Sequence, residues 1–143
     1  MTTKIPKNSI IKMKIGKIRL LLPAKELLSI ETINEIKKNQ LKDTVTTIIV
    51  KNNLEVPVYT VDDEFRFSSY QEGNMSCCLC LDNGKNRFGI VCDEASLIDS
   101  SDFTQYDLPG CMKSAMGLIH HLTVSNDTVY CNTDTARLFR LID

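Results

Sequence analysis

The sequence predicts an all-β fold, and three observations lead to this prediction. Short runs of apolar and β-branched residues are separated by pairs of Asn, Asp and Gly residues, which suit tight hairpin turns. These runs do not alternate with long helical segments, so a parallel α/β sheet is not expected. The 143 residues, of which 43% are hydrophobic, suffice for one domain with its own core. We therefore expect a small β-barrel or sandwich.

The first expected hairpin lies near the N-terminal end. Apolar residues occupy every second position from Ile11 to Ile15, and this period of two predicts a half-buried strand. A turn near Gly16 leads into a second apolar run at 18–22, which Pro23 stops.

Residues 24–38 admit two interpretations. Leu27, Ile30, Ile33 and Ile36 fit one stripe of a helix that starts after a proline. A short helical turn followed by a strand fits the same residues, and both interpretations stay open at this stage.

Three further hairpins are marked by Asn and Gly residues, which tolerate the positive φ of tight turns. The expected strand pairs are 44–50 with 54–61 around Asn52-Asn53, 77–81 with 88–92 around Asn83-Gly84, and 118–124 with 128–131 around Asn126-Asp127. Residues 62–74 and 99–117 are polar and are expected to be irregular. Asp134 is expected to cap a short final helix that carries Leu138 and Leu141.

Charge is distributed unevenly along the chain. Residues 1–51 hold eleven Lys/Arg and four Asp/Glu, whereas the rest holds six and fourteen. A basic half is compatible with a nucleic-acid-binding β-barrel, which we keep as an alternative. That half contains no Phe, Tyr or Trp on which bases could stack, and its lysines alternate with apolar residues. We therefore interpret the lysines as a solvated strand face and expect no nucleic-acid partner.

The six cysteines raise the question of metal or redox chemistry. Cys77, Cys78 and Cys80 fall in one expected strand, where only Cys78 and Cys80 share a face. Structural zinc sites usually use CxxC spacing, and a site here would need Cys131 or a histidine to complete it. Buried, reduced thiols are the preferred interpretation and no cofactor is expected, while a zinc or redox thiol protein is kept as a second alternative.

His120 and His121 are the remaining residues that suggest chemistry. Because they are adjacent on an expected strand, their rings are expected to face opposite ways. No Ser, Cys or carboxylate stands at a spacing that marks a catalytic partner, and phosphate-binding glycine loops are absent from the sequence. The sequence therefore predicts no catalytic residues and no metal ligands.

The apolar runs are all too short to cross a bilayer, which takes roughly 18 residues. The N-terminal stretch carries lysines and lacks the continuous apolar segment of a signal peptide. We expect a cytoplasmic protein without membrane insertion.

The order of these elements resembles the CheW-like domain of bacterial chemotaxis and related sensory systems. The stretch 52–61 resembles that family's NLRGxxxPVxDL hairpin, and 88–95 resembles its GLLVDEV strand. The other matching stretches are 18–22 with Pro23 and 33–36, and the closing strands within 117–131 followed by Asp134 and Leu138.

This resemblance implies one domain over residues 1–143, built as two small five-stranded SH3-like barrels that share a core, with a second lobe at roughly 72–130. It also implies an adaptor without an active site, which links the regulatory domain of a CheA-type histidine kinase to the cytoplasmic region of chemoreceptors. Related arrays control pili or surface motility, and such a role fits the sequence equally well.

The hairpin around Asn52 is the expected partner-binding segment. In this chain Asn52 stands where the family motif has Arg, Asn53 where it has Gly, and Thr60 where it has Asp. Pro57 requires a strand edge or a bulge, and an edge is where a partner can add a strand. The residues expected to contact partners are Lys51, Asn52, Asn53, Val56 and Val58.

Overall fold

A computed structural model describes most of the chain. The described residues are 9–32, 36–38, 46–50, 53–62, 64, 66–69, 77–101, 103–107 and 119–142. Within these ranges, no helix has the length and apolar character needed to cross a membrane.

β-strands dominate the described ranges, which also hold one 3₁₀ turn, Ala24–Glu26, and one short helix, α1 (Thr135–Phe139). This confirms the all-β class predicted from the sequence. The strands are β1 (Ser9–Ile15), β2 (Ile18–Pro23), β3 (Leu27–Thr32), β4 (Ile36–Lys38), β5 (Thr46–Val50), β6 (Leu54–Val61), β7 (Phe67–Ser69), β8 (Cys77–Asp82), β9 (Arg87–Cys92), β10 (Glu94–Asp99), β11 (Thr104–Asp107), β12 (His121–Ser125) and β13 (Thr128–Asn132).

The strands form two sheets. Sheet A has the order β10-β1-β2-β13-β12-β11, in which only β2 and β13 run parallel. Sheet B has the order β3-β8-β9-β6-β5-β4, and the short strand β7 also pairs with β6. The described sheets hold six and seven strands.

The sheets have two hydrophobic cores, one between them and one formed by sheet B alone. Core 1 lies between them, where β1 packs on β9 and β10 packs on β8. Core 2 lies on the opposite face of β8 and β9 and also contains residues of β5 and β6. Core 1 contains Ile11, Met13, Ile15, Leu20, Leu22, Val61, Leu79, Leu81, Phe88, Ile90, Cys92 and Leu138, and core 2 contains Ile48, Val50, Val56, Val58, Cys78, Cys80 and Val91.

The β8–β9 hairpin is buried on both faces, which explains its continuous apolar sequence. Side chains alternate across a strand, so Leu79 and Leu81 enter core 1 while Cys78 and Cys80 enter core 2. A strand with only one buried face would show apolar residues at alternate positions, as β1 does.

The tight turns fall where the sequence predicted them. Gly16 has φ 56° between β1 and β2, and Gly84 has φ 91° between β8 and β9. Asn126 and Asp127 have φ 49° and 65°, so both central residues of the β12–β13 turn adopt the left-handed conformation. This is the geometry of the two-residue turn that best matches strand twist.

The final helix is capped as expected. The Asp134 side chain accepts a hydrogen bond from the backbone N–H of Arg137, which satisfies one free donor of the first turn. The backbone N–H of Thr135 donates to Glu26 Oε1 over 2.9 Å, which ties the helix to the 3₁₀ turn after β2. Leu138 is buried in core 1, so the helix covers one end of that core.

Three segments either decide between the sequence-based interpretations or differ from them. The second interpretation of residues 24–38 is confirmed over 24–32, because a 3₁₀ turn leads directly into β3. The expectation that 99–117 is irregular is wrong for residues 104–107, which form β11. The same expectation for 62–74 is wrong for residues 67–69, which form β7 and pair with β6. All four β11 residues are exposed, so the strand carries no apolar alternation and is formed by pairing with β12.

Candidate interaction surface

The β5–β6 hairpin does not present its valines to a partner. Val56 and Val58 are 0% and 1% exposed and belong to core 2. Their assignment as contact residues is therefore corrected: they alternate correctly along the strand, but their face is the buried one. Asn53 is exposed with φ 58° at the start of β6, and Lys51 and Asn52 lie outside the described residues.

Pro57 does not lie on an edge strand, contrary to one of the two placements expected for it. β6 is an inner strand of sheet B, paired with β5 on one side and β9 on the other. Pro57 stands opposite Thr47 at the end of the β5–β6 ladder, and the parallel pairing with β9 begins at Val58. The residue that lacks an N–H donor thus stands at the end of a ladder instead of within it.

The β11–β13 face is an exposed apolar surface on sheet A. Its residues form two cross-strand rows, Thr104, Val124 and Val129 in one, and Tyr106, Leu122 and Cys131 in the other. Tyr106 and Val129 are 52% and 53% exposed, although both are large and apolar. At its inner end the face merges with core 1, against which Cys131 packs.

A second exposed apolar pair lies where the outermost strands of the two sheets border core 1. Ile30 on β3 is 37% exposed, and Leu97 on β10 is 38% exposed. Ile30 pairs with Leu79 and Leu97 pairs with Ile11, so both extend rows whose inner members are core residues. The residue rows therefore continue the core out to the sheet edges.

The basic N-terminal strand has the arrangement expected of a solvated face. In β1, Lys12 and Lys14 alternate with Ile11, Met13 and Ile15, which are buried. The apolar side enters core 1, and the lysines lie on the other side.

Of the five cysteines that the structure describes, Cys78, Cys80 and Cys92 are buried, and Cys77 and Cys131 are partly buried. Cys78 and Cys80 share a face, as predicted, with Sγ atoms 3.9 Å apart and no exposed surface. Cys77 lies instead beside Cys92, with Sγ atoms 3.5 Å apart. Within the described ranges, no group of three or more His, Cys, Asp or Glu side chains is arranged to hold a metal ion.

The two histidines contact each other, so the expectation that they face opposite ways is wrong. Their Nδ1 atoms are 2.7 Å apart and their rings meet edge to face. The alternation rule fails because His120 precedes β12, whose first residue is His121. His121 also lies 3.5 Å from the Asp107 carboxylate, on the neighbouring strand.

The histidine contact predicts a pH dependence of stability. Partial burial, followed by the nearby Arg137 and His121, lowers the pKa of His120, while Asp134 acts in the opposite direction. The unfolded chain then binds the proton more readily, so stability is lost as pH falls below the ordinary histidine value near 6.5. The urea midpoint of unfolding should fall when the pH is lowered from about 7.5 to about 5.5, because the ordinary histidine pKa lies between these values. This fall should be larger in the native protein than in His120→Gln. Equal losses in both proteins would contradict the prediction.

Two small cavities open beside sheet A, on the face opposite core 1. Their volumes are about 200 and 180 Å³, and both are lined by Ile10, Gln105 and Asn132. Thr123 donates a hydrogen bond of 2.6 Å to Asn132 Oδ1 at this position. Pockets for small molecules usually measure roughly 300–1,000 Å³, so both cavities are small for a ligand site. The exposed apolar faces are therefore the better candidate site.

These features define a two-sheet β domain whose candidate site is a surface of open edges and exposed apolar rows. The fold is that of the CheW scaffolding proteins. It superimposes on the crystal structure of the scaffolding protein TtCheW from Thermoanaerobacter tengcongensis with a TM-score of 0.62, over 92% of each chain and at 12% sequence identity. At this identity the likeness establishes the fold alone. The sequence matches no protein-family model and no curated protein.

Proposed function

We propose that this chain is a non-catalytic adaptor of a bacterial chemosensory-type array. It links the regulatory domain of a CheA-type histidine kinase to the cytoplasmic region of chemoreceptors, and the array serves chemotaxis, pili or surface motility. The observation that carries the proposal is the CheW scaffold fold, which extends over 92% of both chains. In this role the protein works in the cytoplasm and joins the membrane through its partners.

The β11–β13 face supports the proposal as the main docking surface. Tyr106 and Val129 each leave more than half of a large side chain exposed. Within the described residues, β11 pairs only with β12, so its outer edge offers backbone groups to an added strand. An aromatic residue beside an open edge combines backbone hydrogen bonding with apolar burial.

The turn of the β5–β6 hairpin supports a second contact. We assign it to Lys51, Asn52 and Asn53, because the two valines that follow are committed to core 2. The asparagines cannot make the forked contacts of the Arg in the family motif. We therefore expect this contact to be weaker than the one made by proteins that carry the Arg.

Titration of the purified chain with the CheA-type regulatory domain of the same organism tests the proposal. We expect saturable binding, and Tyr106→Ser should raise Kd by about tenfold, which corresponds to about 1.4 kcal/mol and is typical of a central aromatic contact. Lys85→Ala is the matched control, because this exposed residue lies in the β8–β9 turn, away from the face. Its Kd should stay within about twofold of the native value, since changes outside an interface are near neutral.

Other outcomes would contradict the adaptor proposal. One is the absence of binding to any kinase or receptor fragment at concentrations on the order of 100 μM, where even weak signalling contacts are detected. Another is binding to DNA or RNA that weakens steeply with salt in a protein that does not bind the kinase, since such salt dependence marks phosphate contacts.

A further inference from the structure

Cys77 and Cys92 face each other across the β8–β9 hairpin. They are direct partners in the antiparallel register, at the end of the ladder farthest from the turn. Partners of this kind have Cα atoms roughly 4.5–5.5 Å apart, which lies within the roughly 4.4–6.8 Å that disulfides span. Their Sγ atoms are already 3.5 Å apart, so bond formation needs side-chain rotation and no change of register.

We propose that Cys77 and Cys92 form a redox modification site, at which a peroxide joins the two thiols in a disulfide across β8 and β9. This inference goes beyond the adaptor role and does not depend on any partner. Both residues border core 1, but Cys77 is half-buried and Cys92 is fully buried. The peroxide therefore reaches Cys77 first, and Cys92 acts as the resolving thiol.

The surroundings of the pair fit this order of events. A hydrogen bond from Cys92 lowers the pKa of Cys77 to about 7, against the opposing effects of burial and of Asp93 and Glu94. The hydrogen bond to Cys77 and burial raise the pKa of Cys92. The thiolate is the form that attacks peroxides, so Cys77 is the more reactive member.

The reaction balances with hydrogen peroxide as the oxidant. The Cys77 thiolate attacks one oxygen, an S–O bond forms, the O–O bond breaks, and the departing hydroxide takes a proton to become water. Cys92 sulfur then attacks Cys77 sulfur; the S–S bond forms, the S–O bond breaks, and hydroxide leaves with the Cys92 proton as a second water. Two thiols are oxidised and one peroxide is reduced.

The remaining described thiols do not offer an equivalent site. Cys78 and Cys80 lie two residues apart on one strand, where same-face Cα atoms are roughly 6.5 Å apart, near the upper limit for a disulfide. Both are fully buried, so an oxidant does not reach them. Cys131 packs against core 1, and burial raises its pKa.

A disulfide here would fix the passage of the chain from sheet B to sheet A. The backbone N–H of Asp93, next to Cys92, donates to the Lys14 carbonyl over 2.9 Å. The Gly16 N–H donates to Asp93 Oδ2 over 2.7 Å, so this residue ties β9 to the β1–β2 turn. A disulfide between Cys92 and Cys77, the first residue of β8, would add a covalent link to this junction within sheet B.

Peptide mapping of the full chain tests the proposal. In a Cys111→Ser background, Cys92 is the only cysteine of tryptic peptide 88–113, whereas 67–85 carries Cys77, Cys78 and Cys80. After treatment of the folded protein with hydrogen peroxide and alkylation of free thiols, we expect a linked peptide that has lost two hydrogens. Its fragment ions should assign the bond to Cys77, and a dithiol reductant should reverse it.

Matched variants make the outcome decisive. Cys77→Ser should abolish the linked peptide, while Cys131→Ser and Cys80→Ala should retain it. If Cys77→Ser does not fold, the fragment ions of the linked peptide from the Cys111→Ser protein still identify the partner of Cys92. The proposal is overturned if all thiols alkylate freely after peroxide treatment, if Cys92 links to Cys78 or Cys80, or if the urea-unfolded chain forms the link as fast as the folded protein.

Discussion

Replacing Phe88 by Ala should lower the free energy of unfolding by about 3–5 kcal/mol, the range for truncating a buried Phe. Phe88 is fully buried in core 1, and its ring contacts Tyr59 and Phe139 with centroids 6.4 and 5.8 Å away. It thereby joins β9 and β6 of sheet B to the C-terminal helix, which packs against strands from sheet A in the same core. Its loss leaves a cavity where the two sheets meet.

Urea unfolding followed by far-UV circular dichroism measures this effect, since the chain contains no Trp. Phe88→Leu is the conservative control and should cost less than about 1.5 kcal/mol, because it keeps most of the apolar volume. Tyr106→Ala should stay within about 0.5 kcal/mol, because that ring is largely exposed. A loss below about 1 kcal/mol for Phe88→Ala would mean that the sheets do not depend on this core, since such values are typical of unremarkable surface sites.

Local chemistry made the hairpins predictable. Gly16, Gly84 and the pair Asn126 and Asp127 all adopt positive φ, and residues that tolerate this conformation are few. The helix cap at Asp134 was also predictable from local chemistry. A short acidic side chain just before a helix favours accepting a hydrogen bond from a free backbone N–H of the first turn. These signals depend only on residues that are neighbours in sequence.

Strands stabilised by distant partners were harder to predict. The fully exposed β11 owes its existence to backbone pairing with β12, which follows it by more than a dozen residues. β10 similarly pairs with β1, far away along the chain, and has no buried residue of its own. Apolar alternation reports burial, so a strand that buries little leaves almost no trace in the sequence.

The candidate site shows a second limit of sequence patterns. The alternation of period two correctly placed Val56 and Val58 on the same face of β6. It does not specify which face of the sheet is buried, and the face that carries the two valines lies in core 2. On β13 the apolar Val129 is exposed, whereas Tyr130 and the polar Asn132 are buried. The open β11–β13 face follows from sheet packing, for which a single sequence offers no direct signal.

The facing of Cys77 and Cys92 depends on register. A two-residue turn at Asn83 and Gly84 would pair Cys77 with Ile90. The loop instead spans 83–86, where the Asn83 N–H donates to the Asn86 carbonyl and the Asn83 side chain accepts from two further backbone N–H groups. The two extra loop residues shift the pairing by two, which brings the thiols of Cys77 and Cys92 together.

Gly89 should be the position of β9 least tolerant of a side chain on the core 2 face. A Cβ atom there would lie 2.8 Å from Cys78 Sγ and 3.5 Å from Cys80 Sγ. Both thiols are fully buried, so they have little room to rotate away. Gly89→Ala should therefore lower the free energy of unfolding by about 1–3 kcal/mol through overpacking. This outweighs the gain of roughly 0.5–1 kcal/mol expected from replacing a strand Gly by Ala.

A double-mutant cycle isolates the cause. Removing the nearest sulfur with Cys78→Ala makes space for the new methyl group, so the double variant should lose less stability than the two single variants together. The expected coupling energy is at least about 0.5 kcal/mol, as for residues in direct contact. Cys77→Ala is the matched control, because Cys77 lies on the core 1 face of the same strand. Combined with Gly89→Ala, it should be additive within about 0.5 kcal/mol. Additivity with Cys78→Ala, or equal coupling with Cys77→Ala, would show that the two thiols of core 2 do not set the requirement for glycine.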